Sequence, residues 1–206
     1  LSSARVITPA ILFQNSPQFL PDDLDLFQPQ GLPHLFKESH SLPAAFSEDD
    51  PDAAVHSLHG RLLKDRALRA APADRAALFA EAAKAYARAD SLAPAPYPLI
   101  NVATMLFLAG DQARAADIAA DVITRIDAGG DIAETPYFLE ATRAEAQLLM
   151  RDIDRATTTL RRAMRMAADV QDHAVTLKQL NLICEASDLP CGWLDEFRAP
   201  ASLHFA

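Results

Sequence analysis

Residues 101–123 read NVATMLFLAGDQARAADIAADVI, and the same plan returns 41 residues further on. Placing Gly110 on Arg151 sets Ala103 on Ala144, Ala115 on Ala156 and Ala119 on Leu160. Each copy has an apolar run, a polar break (Gly110-Asp111, then Arg151-Asp152) and a second run at helical spacing. In the first copy the second run is Ala115, Ile118, Ala119, Val122, Ile123 and Ile126, whose steps of three and four draw one stripe along a helix. In the second copy it is Ala156, Leu160, Ala163, Met164 and Ala167. A helical hairpin cannot bury all its apolar surface alone, so repeated hairpins must stack on one another. The recurring Ala positions are read as the points where two helices approach closely.

Composition agrees with an all-helical chain. Half of the residues are hydrophobic, only 7% are aromatic and Gly occurs six times, so an Ala- and Leu-rich core is expected. Asp50 reads as an N-cap with Pro51 at the first helical position, followed by Val55, Leu58 and Leu62 on one face. Phe79, Ala82, Ala83, Tyr86 and Ala89 or Ala93 continue at helical steps, and Pro94, Pro96 and Pro98 stop that helix and start the next. Gly129 and Gly130 close a later helix, and Thr135-Pro136 opens another. The expected fold is a tetratricopeptide-like stack of antiparallel helical hairpins with about seven helices. Tetratricopeptide units are about 34 residues long; the wider spacing here is assigned to a longer connector at 128–135.

Residues 1–50 form a separate region in this reading. Seven of the fourteen prolines lie within the first 51 residues, which blocks long helices there. The region also carries Ile11, Leu12, Phe13, Phe19, Leu20, Leu24, Leu26, Phe27, Leu35, Phe36 and Phe46. It is therefore expected to be an extended arm that packs on or links to the helical body at 51–206, because disordered connectors are usually poor in aromatics.

Charge and motif content narrow the function classes. Nineteen basic residues against 28 acidic give a net charge of −9, which argues against a nucleic-acid partner. No apolar run reaches the roughly 18 residues a membrane span requires, and "LSSARVITPAILF" makes a poor signal peptide; a cytoplasmic location is expected. Leu1 at the first position suggests a piece of a longer polypeptide. Cys184 and Cys191 lack the usual zinc or redox spacing, and a disulfide between them is the less favoured reading. His56 and His59 stand one turn apart without the acidic residue of a metalloprotease helix, and are read as two partly exposed helix histidines. The acidic run "SEDDPD" at 47–52 is read as a helix N-terminus favoured by the dipole, with calcium binding the less favoured reading. No nucleophile elbow or phosphate loop is present, so no catalytic residue, metal or cofactor is expected.

Three stretches occur in order: "HGRLLKDRAL" at 59–68, "YPLINVATMLFLAG" at 97–110 and "TLKQLNLICEA" at 176–186. Over roughly residues 55–187 the chain resembles the TRAF-binding, tetratricopeptide-like central region of the apoptosis signal-regulating MAP kinase kinase kinases, as a bacterial relative. The resemblance implies a non-catalytic regulatory module of a larger signalling protein. Its Ala-rich interior speaks against carrying over animal TRAF proteins as partners. The polar positions inside the three stretches are Arg61, Lys64, Asp65, Arg66, Asn101, Lys178, Gln179 and Asn181. In tetratricopeptide-like arrays the first helix of each hairpin lines the concave surface, and Arg61, Lys64, Asn101, Lys178 and Asn181 are the candidate binding-groove residues. Asn101 resembles the asparagine that holds a peptide backbone, and Arg61 and Lys64 would pair with a partner carboxylate. The competing reading pairs Arg61 with Asp65 within the helix, or Lys64 with a neighbouring helix, and lets Asn101 cap a turn. The expected partner is a protein segment or a neighbouring domain of the same polypeptide. Two other functions remain open: a homo-oligomerising assembly platform, and a helical sensor of a small molecule or nucleotide.

Overall fold

The computed structural model describes residues 47, 49–130, 134–166 and 170–198. They form seven α-helices and one closing 3-10 turn, with no strand among the described residues. The helices are α1 (Ala53–Arg69), α2 (Pro72–Leu92), α3 (Pro96–Leu108), α4 (Gln112–Ala128), α5 (Pro136–Leu149), α6 (Ile153–Met164) and α7 (Val170–Glu185), and the turn is Gly192–Phe197. The arm expected at 1–50, apart from residues 47, 49 and 50, lies outside the described residues, as do Ala167 and residues 199–206. No helix among the described residues is long and apolar enough to cross a membrane.

The 41-residue echo is a repeated turn, bond for bond. At the end of α3, Asp111 N donates to Leu106 O at 2.9 Å and Gly110 N to Phe107 O at 3.0 Å. At the end of α5, Asp152 N donates to Gln147 O at 2.9 Å and Arg151 N to Leu148 O at 2.9 Å. Both pairs are the crossed bonds of a helix closed by a left-handed residue: Gly110 has φ 98° and Arg151 φ 65°. The next residue caps the following helix. Asp111 accepts from Arg114 N at 3.3 Å and Asp152 from Arg155 N at 3.1 Å. The small residues do meet neighbours there: Ala103, Ala115, Ala119, Ala144, Ala156 and Leu160 are all fully buried.

Successive helices from α1 to α6 pack on one another, and the odd-numbered helices α3, α5 and α7 also contact one another. The stack therefore has an inner layer of odd-numbered helices and an outer layer of even-numbered ones. One continuous apolar core runs from Leu63 in α1 to Leu194 in the closing turn, with a satellite of Tyr137, Phe138, Ala141 and Ala163. Arg125 of α4 pins the link between α2 and α3 by binding Asp90 and donating to Ala95 O at 2.9 Å. Arg161 fastens the closing turn with a forked pair to Glu196 at 2.7 and 2.8 Å, and the turn seals the core with Leu194.

The first helix departs from the sequence reading twice. Its N-cap is Asp52, whose carboxylate accepts from Ala54 N at 2.8 Å; Asp50 instead accepts from Asp52 N at 2.8 Å. Its buried side is His56, Ser57, Gly60, Leu63 and Ala67, not Val55, Leu58 and Leu62. The reason is the fully buried Tyr86 ring on α2: a Cβ at Gly60 would sit 2.7 Å from its Cδ2, so only the small face of α1 can approach. The connector before α5 also has a task. Glu134 accepts from Tyr97 N at 2.9 Å, capping α3, whose own N-cap Ala95 offers no side-chain acceptor.

Candidate functional site

Four odd-numbered helices each send a polar side chain to one place on the inner layer. Lys64 of α1 donates from Nζ to Gln179 Oε1 of α7 at 2.6 Å. Gln179 Nε2 in turn donates to Glu145 Oε1 of α5 at 2.8 Å, and Thr104 Oγ1 of α3 donates to the same oxygen at 2.5 Å. Lys64 and Gln179 are 115 residues apart in sequence, so this chain of bonds ties the first helix to the last. Thr104 and Glu145 are separated by 41, the repeat offset itself: they are equivalent positions on successive hairpins. The apolar helix faces around them set where the backbones lie, and the polar groups then meet at the gap between.

The electrostatics follow from the half-buried setting. Burial holds the Lys64 ammonium below its ordinary pKa, and the positive charges of Lys178 and Arg61 push the same way, against the pull of Glu145 and Asp65. Burial raises the Glu145 carboxyl, opposed by the Thr104 and Gln179 bonds and by Lys64. Tyr86 and Tyr97 meet edge to face with centroids 6.4 Å apart, and burial raises both phenols. Arg61 lies close enough to both rings to oppose that rise. The cluster is thus a bonded, partly charged floor with cations at its margin.

The sequence-expected residues divide around this cluster. Lys64 belongs to it, Arg61 lies one turn away on α1, and Lys178 flanks Gln179 as an exposed side chain. Asn101 stands on the Thr104 side of α3, but its amide donates to Tyr97 O at 2.8 Å, one turn back on its own helix. Asn181 turns elsewhere: it donates to Glu185 and accepts from Arg198 Nη2 at 3.0 Å. Sequence reasoning missed Thr104 and Glu145 as site residues; Gln179 stood among the polar candidates of the last helix but outside the groove set. The repeat offset that aligned the Ala positions also aligned Thr104 with Glu145, and it was the available signal.

Other polar features lie apart. His56 is buried, not partly exposed as the sequence suggested, because its ring turns back to place Nε2 2.8 Å from Asp50 O; no group of three potential metal ligands gathers among the described residues. Cys184 and Cys191 are free thiols, and burial, then the neighbouring Cys191, pushes the Cys184 thiol up to about 12. A shallow cavity of about 240 Å³ lies on α5 and α6 beside Gln147, Asp154, Arg155, Thr158 and Thr159, away from the cluster.

Comparison with known proteins gives one match. The family model described as the MAP3K TRAFs-binding domain matches residues 37–191, which includes all seven helices. No curated protein and no solved structure matches the chain.

Proposed function

The chain belongs to the MAP3K TRAFs-binding domain family, and from that premise we propose that it is a non-catalytic, protein-binding regulatory module of a larger signalling or stress-response protein. The observation that supports this most is the convergence of α1, α3, α5 and α7 on one inner face through Lys64, Thr104, Glu145 and Gln179. A floor whose polar groups are already bonded to one another holds its shape, so a partner is met without first ordering the surface. Arg61 and the exposed Lys178 stand at its edge, where they favour a partner segment carrying carboxylates.

In this reading the hairpins form a tetratricopeptide-like array in a bacterial relative of the family, working in the cytoplasm. The family's description names TRAFs as its partners; for this chain the partner class is a protein segment or a neighbouring domain of its own polypeptide. The test reverses the marginal charges, Arg61→Glu with Lys178→Glu, and leaves the bonded floor intact. Pull-down from the source cells is expected to recover about tenfold less of the partner that wild type retains, equivalent to about 1.4 kcal/mol. Unchanged recovery, with circular dichroism showing an intact fold, contradicts the assignment.

A further inference from the structure

The outer side of α1 carries a stripe that the core does not use. Val55, Leu58, Leu62, Arg66 and Arg69 follow at steps of three and four, opposite the buried His56, Gly60, Leu63 and Ala67. Leu58 is 36% exposed, and Val55 and Leu62 are half-buried outside both apolar clusters. Arg66 and Arg69 are exposed and form no ion pair among the described residues. α1 has no hairpin before it among the described residues, so nothing described there covers this stripe.

We propose that residues 20–27 of the same chain dock on this stripe. The segment reads LPDDLDLF: Leu20, Leu24 and Phe27 recur at steps of four and three, with Asp22, Asp23 and Asp25 between them. Three apolar side chains match Val55, Leu58 and Leu62, and three carboxylates match the two unpaired guanidinium groups. Position agrees with this occupant, because the chain enters α1 from the N-terminal end, beside Val55. The 26 residues from Phe27 to Ala53 reach up to about 90 Å when extended, against about 25 Å for the length of α1. Tethering supplies a high effective concentration, so a modest contact suffices. The segment also precedes the family match, which begins at residue 37; it is an addition to the shared module.

Hydrogen exchange on the full chain at low micromolar concentration tests the docking. Amides of 22–27 are expected to exchange about tenfold or more slower than random coil. Leu58→Glu with Leu62→Glu abolishes that protection while α2–α7 keep theirs, and Leu24→Asp, which leaves the helical body untouched, does the same. Arg66→Asp with Arg69→Asp weakens it, and adding Asp22→Arg with Asp23→Arg restores it. Random-coil exchange in wild type, or protection indifferent to Leu58, overturns the proposal. Protection that vanishes on dilution, together with a dimer in light scattering, assigns the stripe to a second copy and overturns it equally.

Discussion

Gly60 and Glu145 show how single residues set this structure. Gly60 has helical backbone geometry, so its lack of a side chain serves contact with Tyr86, not a turn. Gly60→Ala gains roughly 1 kcal/mol of helix propensity but drives a methyl into a buried ring that cannot retreat. The net expectation is a loss of about 1–2 kcal/mol in a denaturant melt; a stabilised variant contradicts the contact. Glu145 is tested by pH. Its folded pKa lies above the ordinary 4.5, so the folded state holds the proton more tightly. Its contribution is fully present below 4.5 and is lost as pH rises through the raised value. Glu145→Gln keeps an acceptor for Thr104 and Gln179 and removes this titration. Wild-type stability is therefore expected to fall relative to the variant as pH rises above 4.5; parallel profiles contradict the raised carboxyl. Neither residue stood out in the sequence. Gly60 requires knowing that Tyr86 sits opposite, and Glu145 requires knowing that four helices share one gap.

Among elements, the turns were the most legible. Gly110-Asp111 and Arg151-Asp152 use local chemistry, a left-handed closing residue and an acidic cap, so their pattern survives translation from sequence to structure. The second turn is the costlier, since a residue with a Cβ pays about 1–2 kcal/mol in the left-handed region. Arg151→Gly is expected to raise stability by about 1 kcal/mol, seen as an upward shift of the melting temperature. No shift, or a downward one, would show that Arg151 makes contacts worth more than the strain. The first helix was misread for a non-local reason. Its larger apolar side chains, Val55, Leu58 and Leu62, suggested the core face, but the neighbouring ring admits only small groups there. The long connector before α5 was legible as an insertion, whereas its role in capping α3 through Glu134 depended on the chain's return path.

At the scale of the molecule, the all-helical stack was readable because hairpin stacking follows from a repeated apolar plan. The polar cluster of the inner layer was readable only in part. Arg61, Lys64 and Lys178 fall around the shared cluster, Asn101 is held by its own helix, and Asn181 points to the closing turn. Which polar residues converge depends on how far the array curves, and here it curves enough for α1 to bond α7. The central claim is that this inner layer is the face that meets a partner. Photocrosslinking in the source cells tests it most directly, with p-benzoylphenylalanine placed either at Lys178, at the margin of the cluster, or at Asp117, exposed on α4 in the outer layer. A discrete crosslinked partner is expected from position 178 and none from 117. A partner captured from 117 and not from 178 would contradict it.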